Sequence, residues 1–223
     1  MKVKIVPTIL TPNFAEFKKR LKQVALFFNL VQIDCADGKF VRNKTFYNKS
    51  EVSAYAKASA DRRRLKYEGD YELHLMVIEP LKEIKKWVGF KKVKSVIFHF
   101  EAVRNDKEIL EIVNFLHKKG IKAGLAINPE TKVEKVMEFL PRIDLILFLG
   151  VNPGWGGRKF QPRVLPKIKK VRKLFPKLNI AVDGGVNLQN VVRIIKAGAN
   201  SLAVGKSLNI KSDILKFKKY EKF

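Results

Sequence analysis

The chain is poor in cysteine and lacks long apolar runs. Its 223 residues contain one cysteine, Cys35, which excludes a disulfide scaffold or a cysteine-based zinc finger and favours a reducing, cytoplasmic environment. No stretch approaches the roughly 18 uninterrupted apolar residues of a membrane span, so no membrane partner is expected. The segment Met1–Leu10 is interrupted by Pro7 and has no small-residue cleavage site, which predicts a first strand and not a signal peptide.

Acidic residues and arginine are also scarce. Lys and Arg total 46 against 21 Asp and Glu, for a net charge of +25, which is typical of proteins with polyanionic partners. Only 11 of the basic residues are Arg, however, whereas nucleic-acid-binding proteins favour the forked guanidinium. Lysine pairs such as Lys85–Lys86 recur along predicted helices, so we interpret most of them as solvated helix faces. Nucleic-acid binding is the less favoured hypothesis, although the charge does not exclude it.

What the chain does have is hydrophobic patterning. Hydrophobic residues make up 46%, which excludes a disordered protein, and short β-rich runs alternate with segments of helical period. No GxGxxG motif follows the first strand, which argues against a doubly wound sheet. The alternation predicts an α/β fold, a (β/α)8 TIM barrel that forms a single domain over residues 1–223. The predicted strands are Lys4–Leu10, Leu30–Cys35, Tyr71–Val77, Ser95–Phe98, Lys122–Ile127, Leu145–Leu149, Asn179–Val182 and Ser201–Val204. The predicted helices are Phe14–Phe28, Ser50–Ala60, Glu79–Val88, Asp106–Lys119, Thr131–Leu140, Pro166–Phe175, Leu188–Ala197 and Asp213–Tyr220.

Functional residues of such a barrel collect at the carboxyl ends of its strands. Asp34, His74 and Asp183 each lie at a predicted strand end, and their side chains are of the kind that binds zinc or another divalent metal. Two carboxylates facing one substrate could equally act as an acid and a base. Both hypotheses stand at this point. We interpret the remaining histidines, His99 and His117, as structural.

Glycines follow the last three predicted strands. They predict a phosphate site, because backbone N–H groups without neighbouring side chains can approach an anion closely. A phosphorylated small molecule is therefore the expected substrate. The predicted substrate-binding residues are Thr8, His74, Met76, Gly154, Trp155, Gly156, Gly157, Gly184, Gly185, Gly205 and Lys206.

Several segments together resemble the ribulose-phosphate 3-epimerase family. They are Pro7–Leu10, Gln32–Asn43, Leu73–Val77, Val151–Phe160 (VNPGWGGRKF), Val182–Val186 and Ala197–Asn200. The resemblance implies interconversion of D-ribulose 5-phosphate and D-xylulose 5-phosphate in the pentose phosphate pathway. It further implies an enediolate intermediate, with Asp34 and Asp183 as the catalytic acid/base pair, and a homo-oligomer.

The resemblance also implies one divalent metal ion, zinc, with manganese or iron as alternatives. Asp34, His74 and Asp183 match three of its four ligands, while Gln32 stands where the family has histidine and is expected to be a weak ligand. Ala36 replaces a methionine, which suggests a wider pocket and, as an alternative function, epimerisation of a hexulose 6-phosphate. Gln32 and the charge suggest another alternative, a catalytically impaired barrel that binds polyanions. Lys206 replaces a small residue and would add a cation to the phosphate site. The basic segment Lys57–Asp70 has no assigned role.

Overall fold

Eight parallel strands form one closed barrel in which each strand pairs with its sequence neighbours and the last pairs with the first. The computed structural model describes residues 2–57, 67–154 and 157–222. Trp155, Gly156 and residues 58–66, which include the end of the predicted second helix and most of the basic segment, lie outside the described residues. The expected (β/α)8 architecture is confirmed. The strands are β1 (Lys4–Ile9), β2 (Leu30–Ala36), β3 (Asp70–Met76), β4 (Val93–His99), β5 (Lys122–Ile127), β6 (Leu145–Leu149), β7 (Asn179–Asp183) and β8 (Ser201–Val204).

Seven α-helices in the described ranges surround the barrel. Two of them begin at a capping asparagine: the side chains of Asn13 and Asn105 accept the backbone N–H of Glu16 and Glu108, which satisfies a donor of the first turn. No helix in the described part of the chain is long and apolar enough to cross a membrane. The helices are α1 (Phe14–Val24), α2 (Lys49–Lys57), α3 (Pro80–Trp87), α4 (Asp106–Lys118), α5 (Leu165–Leu174), α6 (Val191–Ala197) and α7 (Lys211–Lys218).

The connection between β5 and β6 differs from the prediction. The sequence pattern predicts a helix over Thr131–Leu140, but the structure has two 3-10 helices, Val133–Val136 and Leu140–Arg142. The buried residues here are three positions apart, a spacing that suits a 3-10 helix as well as an α-helix. Pro141 lies in the first turn of the second 3-10 helix, a position that proline favours because its missing N–H has no partner there. The prediction of eight α-helices was wrong at this point.

Alternation along β2 and β3 places polar side chains inside the barrel. Val31, Ile33 and Cys35 are buried in the main hydrophobic core, so Gln32 and Asp34, which occupy the intervening positions, point to the barrel axis. The same alternation on β3 turns Glu72, His74 and Met76 inward. A separate apolar cluster fills the interior on the β4–β7 side: Ile97, Ala126, Leu145, Leu147, Leu149 and Ala181. The polar residues therefore face an apolar wall across the barrel.

Candidate active site

A cavity of about 740 Å³ opens at the carboxyl ends of the strands, where function was expected. Its floor contains Asp34, His74 and Asp183, from β2, β3 and β7. Every predicted substrate-binding residue within the described ranges contributes to the lining. These are Thr8, His74, Met76, Gly154, Gly157, Gly184, Gly185, Gly205 and Lys206.

The two aspartates and His74 converge on one point. A ligand atom from each of Asp34, His74 and Asp183 lies within 4.8 Å of the other two. The Nδ1 atom of His74 is 3.0 Å from Asp34 Oδ1 and 3.4 Å from Asp183 Oδ2. Strands β2 and β7 are separated by β1 and β8, so the two carboxylates reach this point from well-separated parts of the barrel wall. Two oxygen donors and one imidazole nitrogen suit a divalent metal ion.

Gln32 lies beneath this group and is 1% exposed. Its Nε2 donates to Asp34 Oδ1 at 2.7 Å and to Asp183 Oδ2 at 2.8 Å, so one amide nitrogen joins both carboxylates. Its Oε1 is buried and has no hydrogen-bond partner. The structure thus presents the amide nitrogen of Gln32, and not the oxygen, to the predicted metal site. For Gln32 to bind a metal, its side-chain amide would have to flip so that Oε1 replaces Nε2. Metal ligation by Gln32 stays a prediction.

Charge and burial shift the protonation of the central pair. Burial, reinforced by the neighbouring charge of Asp183, raises the pKa of Asp34. Burial alone would lower the pKa of His74, but its hydrogen bonds and charge interactions with Asp183 and Asp34 raise it to about 10. Without a metal, His74 is therefore a cation held between two carboxyl groups.

The opposite side of the cavity carries positive charge and open backbone. Gly157 has φ +96°, and a Cβ there would lie 2.8 Å from Lys206 Nζ, so glycine lets this lysine approach the loop after β6. Gly185 has φ +69°, and a Cβ added at this position would lie 2.7 Å from the backbone nitrogen of Phe160. Arg158 also lines the cavity here. This rim has the composition of a phosphate site.

Comparison with known proteins identifies the family. A family model described as the Ribulose-phosphate 3 epimerase family matches residues 4–209. The chain is 32% identical over 206 residues to ribulose-phosphate 3-epimerase of Schizosaccharomyces pombe, covering 92% of this chain and 86% of that protein. It is 33% identical over 219 residues to ribulose-phosphate 3-epimerase of Bacillus subtilis, covering 95% and 94%. The chain belongs to the ribulose-phosphate 3-epimerase family. The expectation of an isomerase is thereby confirmed.

A solved structure supports the fold independently. The tryptophan synthase α-subunit of Pyrococcus furiosus superimposes with a TM-score of 0.68, covering 100% of this chain and 97% of that chain at 14% identity. At this identity the likeness shows the barrel fold alone. Function in this chain rests on the epimerase-family match and on the site.

Ala36, which the sequence analysis expects to widen the pocket of this epimerase-family chain, lies at the end of β2. The residue is fully buried and packs in a small apolar cluster with Val41 and Met76, against which Leu10 and Phe40 also pack. Ala36 is not one of the described residues that line the cavity. The structure therefore gives no support to the wider pocket that motivated the hexulose alternative.

Sequence reasoning missed an arginine that braces the cavity. The guanidinium of Arg20, on α1, donates to the carbonyl oxygens of Gly205 and Leu208, both at 2.7 Å. It thereby fixes the loop after β8, which carries Lys206. Ser207 Oγ donates to the carbonyl of Val186 at 2.9 Å and links this loop to the one after β7. No local motif marks Arg20, because its partners are more than 180 positions away.

His99, which the sequence analysis interprets as structural, lies one position beyond the predicted β4 and next to the site. The strand continues to His99, whose Nε2 lies 3.0 Å from Nε2 of His74. His117 lies instead at the surface, where its Nε2 is 2.8 Å from Oδ2 of Asp144.

Proposed function

We propose that this protein interconverts D-ribulose 5-phosphate and D-xylulose 5-phosphate. The observation that carries the proposal is the pairing of Asp34 and Asp183 through one amide nitrogen at the cavity floor, in a chain of the epimerase family. Epimerisation needs a base on one face of the substrate carbon and an acid on the other. Two carboxylates that reach one point from different parts of the barrel wall supply both.

The two aspartates act on opposite faces of C3, one gaining a proton from the substrate while the other gives a different proton to it. One carboxylate removes the proton from C3, and the electron pair of the broken C–H bond enters the adjacent C2 carbonyl to give an enediolate. The other carboxyl group then donates its proton to the opposite face of C3, and the carbonyl re-forms. The raised pKa of Asp34 brings that group toward the range in which a carboxyl can both accept and donate a proton.

The phosphate group orients the sugar in this proposal. Lys206, Arg158 and the glycine-rich loops attract a dianion, whereas the positive charge of an ion held at the floor would be balanced by Asp34 and Asp183. The phosphate therefore lies at the rim, and the carbonyl end reaches the floor. The sugar hydroxyls exchange their hydrogen bonds to water for hydrogen bonds to polar groups that line the cavity.

Asp34, His74 and Asp183 would hold the metal ion that we infer, zinc, with manganese or iron as alternatives. When bound, such an ion supplies positive charge that stabilises the developing enediolate oxygens. The floor residues suit it, because two carboxylates and an imidazole nitrogen surround one point. The unpartnered Oε1 of Gln32 would become a further oxygen ligand for the ion if the side-chain amide flipped.

Turnover in deuterated water tests the proposal. Zinc- or manganese-supplemented protein should convert D-ribulose 5-phosphate and place solvent deuterium at C3 of the product. Asp34→Asn and Asp183→Asn should each abolish conversion, whereas Asp213→Asn, an aspartate of α7 that pairs only with Lys216 at 3.8 Å among described groups, should be unaffected. Absence of conversion under every metal tried would refute the assignment. A hexulose 6-phosphate tested in parallel should be the poorer substrate.

Assembly, location and polyanion binding are further proposals. We infer a homo-oligomer in the cytoplasm, which analytical ultracentrifugation and fractionation would test. Nucleic-acid binding is the alternative that the charge of +25 keeps open. Filter binding over a salt series distinguishes it, because phosphate contacts make affinity fall steeply with salt.

A further inference from the structure

A chain of buried hydrogen bonds continues from the cavity floor into the barrel wall. Nε2 of His74 faces Nε2 of His99 at 3.0 Å, and Nδ1 of His99 faces Oε2 of Glu101 at 3.3 Å. Both rings are buried, at 1% and 0% exposure. Their planes differ by 22° and their centroids are 5.1 Å apart, so the two imidazoles meet edge to edge, as an N–H···N bond requires.

Glu101 is anchored at the far end of this chain. Its Oε1 accepts the backbone N–H of Asn128 at 2.8 Å and the hydroxyl of Thr131. Burial would raise the pKa of Glu101, but its hydrogen bonds with His99, Thr131 and Asn128 lower it. Glu101 is therefore an ionised acceptor with one oxygen committed to the loop after β5 and the other to His99.

The direction of each bond follows from this anchor. A carboxylate only accepts hydrogen bonds, so Nδ1 of His99 carries a hydrogen. Two N–H groups cannot face each other at 3.0 Å, so a single hydrogen lies between the two Nε2 atoms. If it belonged to His99, then Nδ1 of His74 would have to keep its own hydrogen and could not bind a metal. Placing the hydrogen on Nε2 of His74 leaves Nδ1 free for the metal, toward Asp34 and Asp183.

We propose that His99 and Glu101 are positioning residues that hold His74 in the Nε2–H tautomer and aim its Nδ1 at the metal site. Neither residue is among the described residues that line the cavity, and neither was expected to act in the site. The proposal rests on the proposed metal-assisted function, but it concerns a feature that can be measured without substrate. Partners of this kind fix the orientation and basicity of a metal-bound histidine, and their loss commonly lowers metal affinity about 10- to 100-fold.

Histidine NMR and zinc titration test this inference. In zinc-loaded protein, long-range ¹H–¹⁵N spectra should show His74 protonated at Nε2 and bare at Nδ1. His99→Phe keeps a ring but removes the acceptor, and it should weaken zinc binding, measured by competition with a chromophoric chelator, by about 10- to 100-fold. Glu101→Gln should weaken it less, because an amide can still accept from His99. Should His99→Phe fail to fold, Glu101→Gln with the wild-type spectrum decides the matter.

His117→Phe is the matched control, since it removes a histidine bonded to a carboxylate at the surface, 43% exposed, and should leave zinc affinity unchanged. Saturating zinc should restore kcat in His99→Phe without a change in KM for the sugar phosphate, a split that general unfolding would not produce. A spectrum with His74 protonated at Nδ1 in the zinc-loaded protein would overturn the inference, as would wild-type zinc affinity in both variants. Failure of wild-type protein to turn over ribulose 5-phosphate would count against the proposed function, while the tautomer and affinity results would still stand alone.

Discussion

Gln32→Glu replaces the amide nitrogen that joins the two aspartates by an oxygen of nearly the same size. In metal-free protein at pH 7 the change sets three carboxyl groups against one another. It removes two hydrogen bonds to charged acceptors, at 2.7 and 2.8 Å. Such bonds contribute about 1.5–3 kcal/mol each, or about 3–6 kcal/mol together.

A second route sets an upper limit on the loss of stability. The introduced carboxyl group can keep a proton and donate it to one aspartate. Holding a proton on a group of ordinary pKa at pH 7 costs about 4 kcal/mol. The hydrogen bond to the other aspartate is still lost, at about 1.5–3 kcal/mol. We therefore expect the free energy of unfolding to fall by about 3–6 kcal/mol at pH 7. The introduced group has a raised pKa in the folded state, so the loss is present above its unfolded pKa and declines as pH falls. At pH 5 the same proton costs about 1 kcal/mol, so the defect should become smaller, leaving chiefly the lost hydrogen bond to the second aspartate.

Urea unfolding with a chelator, at pH 7 and pH 5, measures both values. Gln189→Glu makes the same chemical change on an exposed side chain and should alter stability by less than about 0.5 kcal/mol. Added zinc should stabilise Gln32→Glu more than it stabilises wild-type protein, because the extra carboxylate is itself a ligand. If Gln32→Glu matched the control in chelator at pH 7, the amide bridge between Asp34 and Asp183 would be refuted.

Three further predictions concern the cavity. Lys206→Gln should raise KM for ribulose 5-phosphate about 10- to 100-fold with kcat little changed. The control Lys159→Gln, at an exposed lysine, should leave both KM and kcat unchanged. A fall in kcat alone for Lys206→Gln would contradict the role of Lys206 in binding phosphate. Asp34→Asn and Asp183→Asn should lower epimerisation by at least about 10²- to 10⁴-fold, yet each should still exchange C3 hydrogen of one epimer with solvent, seen by NMR in deuterated water. Because the pKa of His74 is about 10 without metal, zinc must displace its Nδ1 proton, so zinc affinity should rise about tenfold per pH unit from pH 6 to 8. Calorimetry in buffers of different ionisation enthalpy counts that proton, and zero release would argue against Nδ1 as the ligand.

The barrel and the floor of its site could be predicted from sequence because both depend on local patterns. Strand alternation places Asp34 and His74 on the inner face, and the rule that function lies at carboxyl strand ends brings Asp183 to them. The helix between β5 and β6 failed because apolar residues at a spacing of three do not separate an α-helix from a 3-10 helix.

Other features depend on contacts that no local pattern records. Arg20 bonds to carbonyls contributed by the far end of the chain. His99 needed one more residue of β4 to be placed inside the barrel, and strand ends are the least certain part of a sequence-based assignment. The substitution at position 32 was visible, but the direction of its amide was not. Whether nitrogen or oxygen faces the metal site depends on which acceptors surround it, and here both are carboxylates.

The distribution of charge inside the cavity matters more for function than the net charge of the chain. Lys206 and Arg158 lie at the rim, and two carboxylates lie at the floor, so a ketose phosphate has one favourable orientation across the cavity. Reversing the sugar would take the phosphate away from Lys206 and Arg158 and leave both cations without a partner. The lysines on the helix exteriors cannot impose this orientation, because charges farther than about 10 Å apart in water are screened at physiological salt. These lysines contribute only to the rate at which substrate encounters the protein. Neutralising them should therefore alter how KM depends on ionic strength, but it should not alter the stereochemistry of the product.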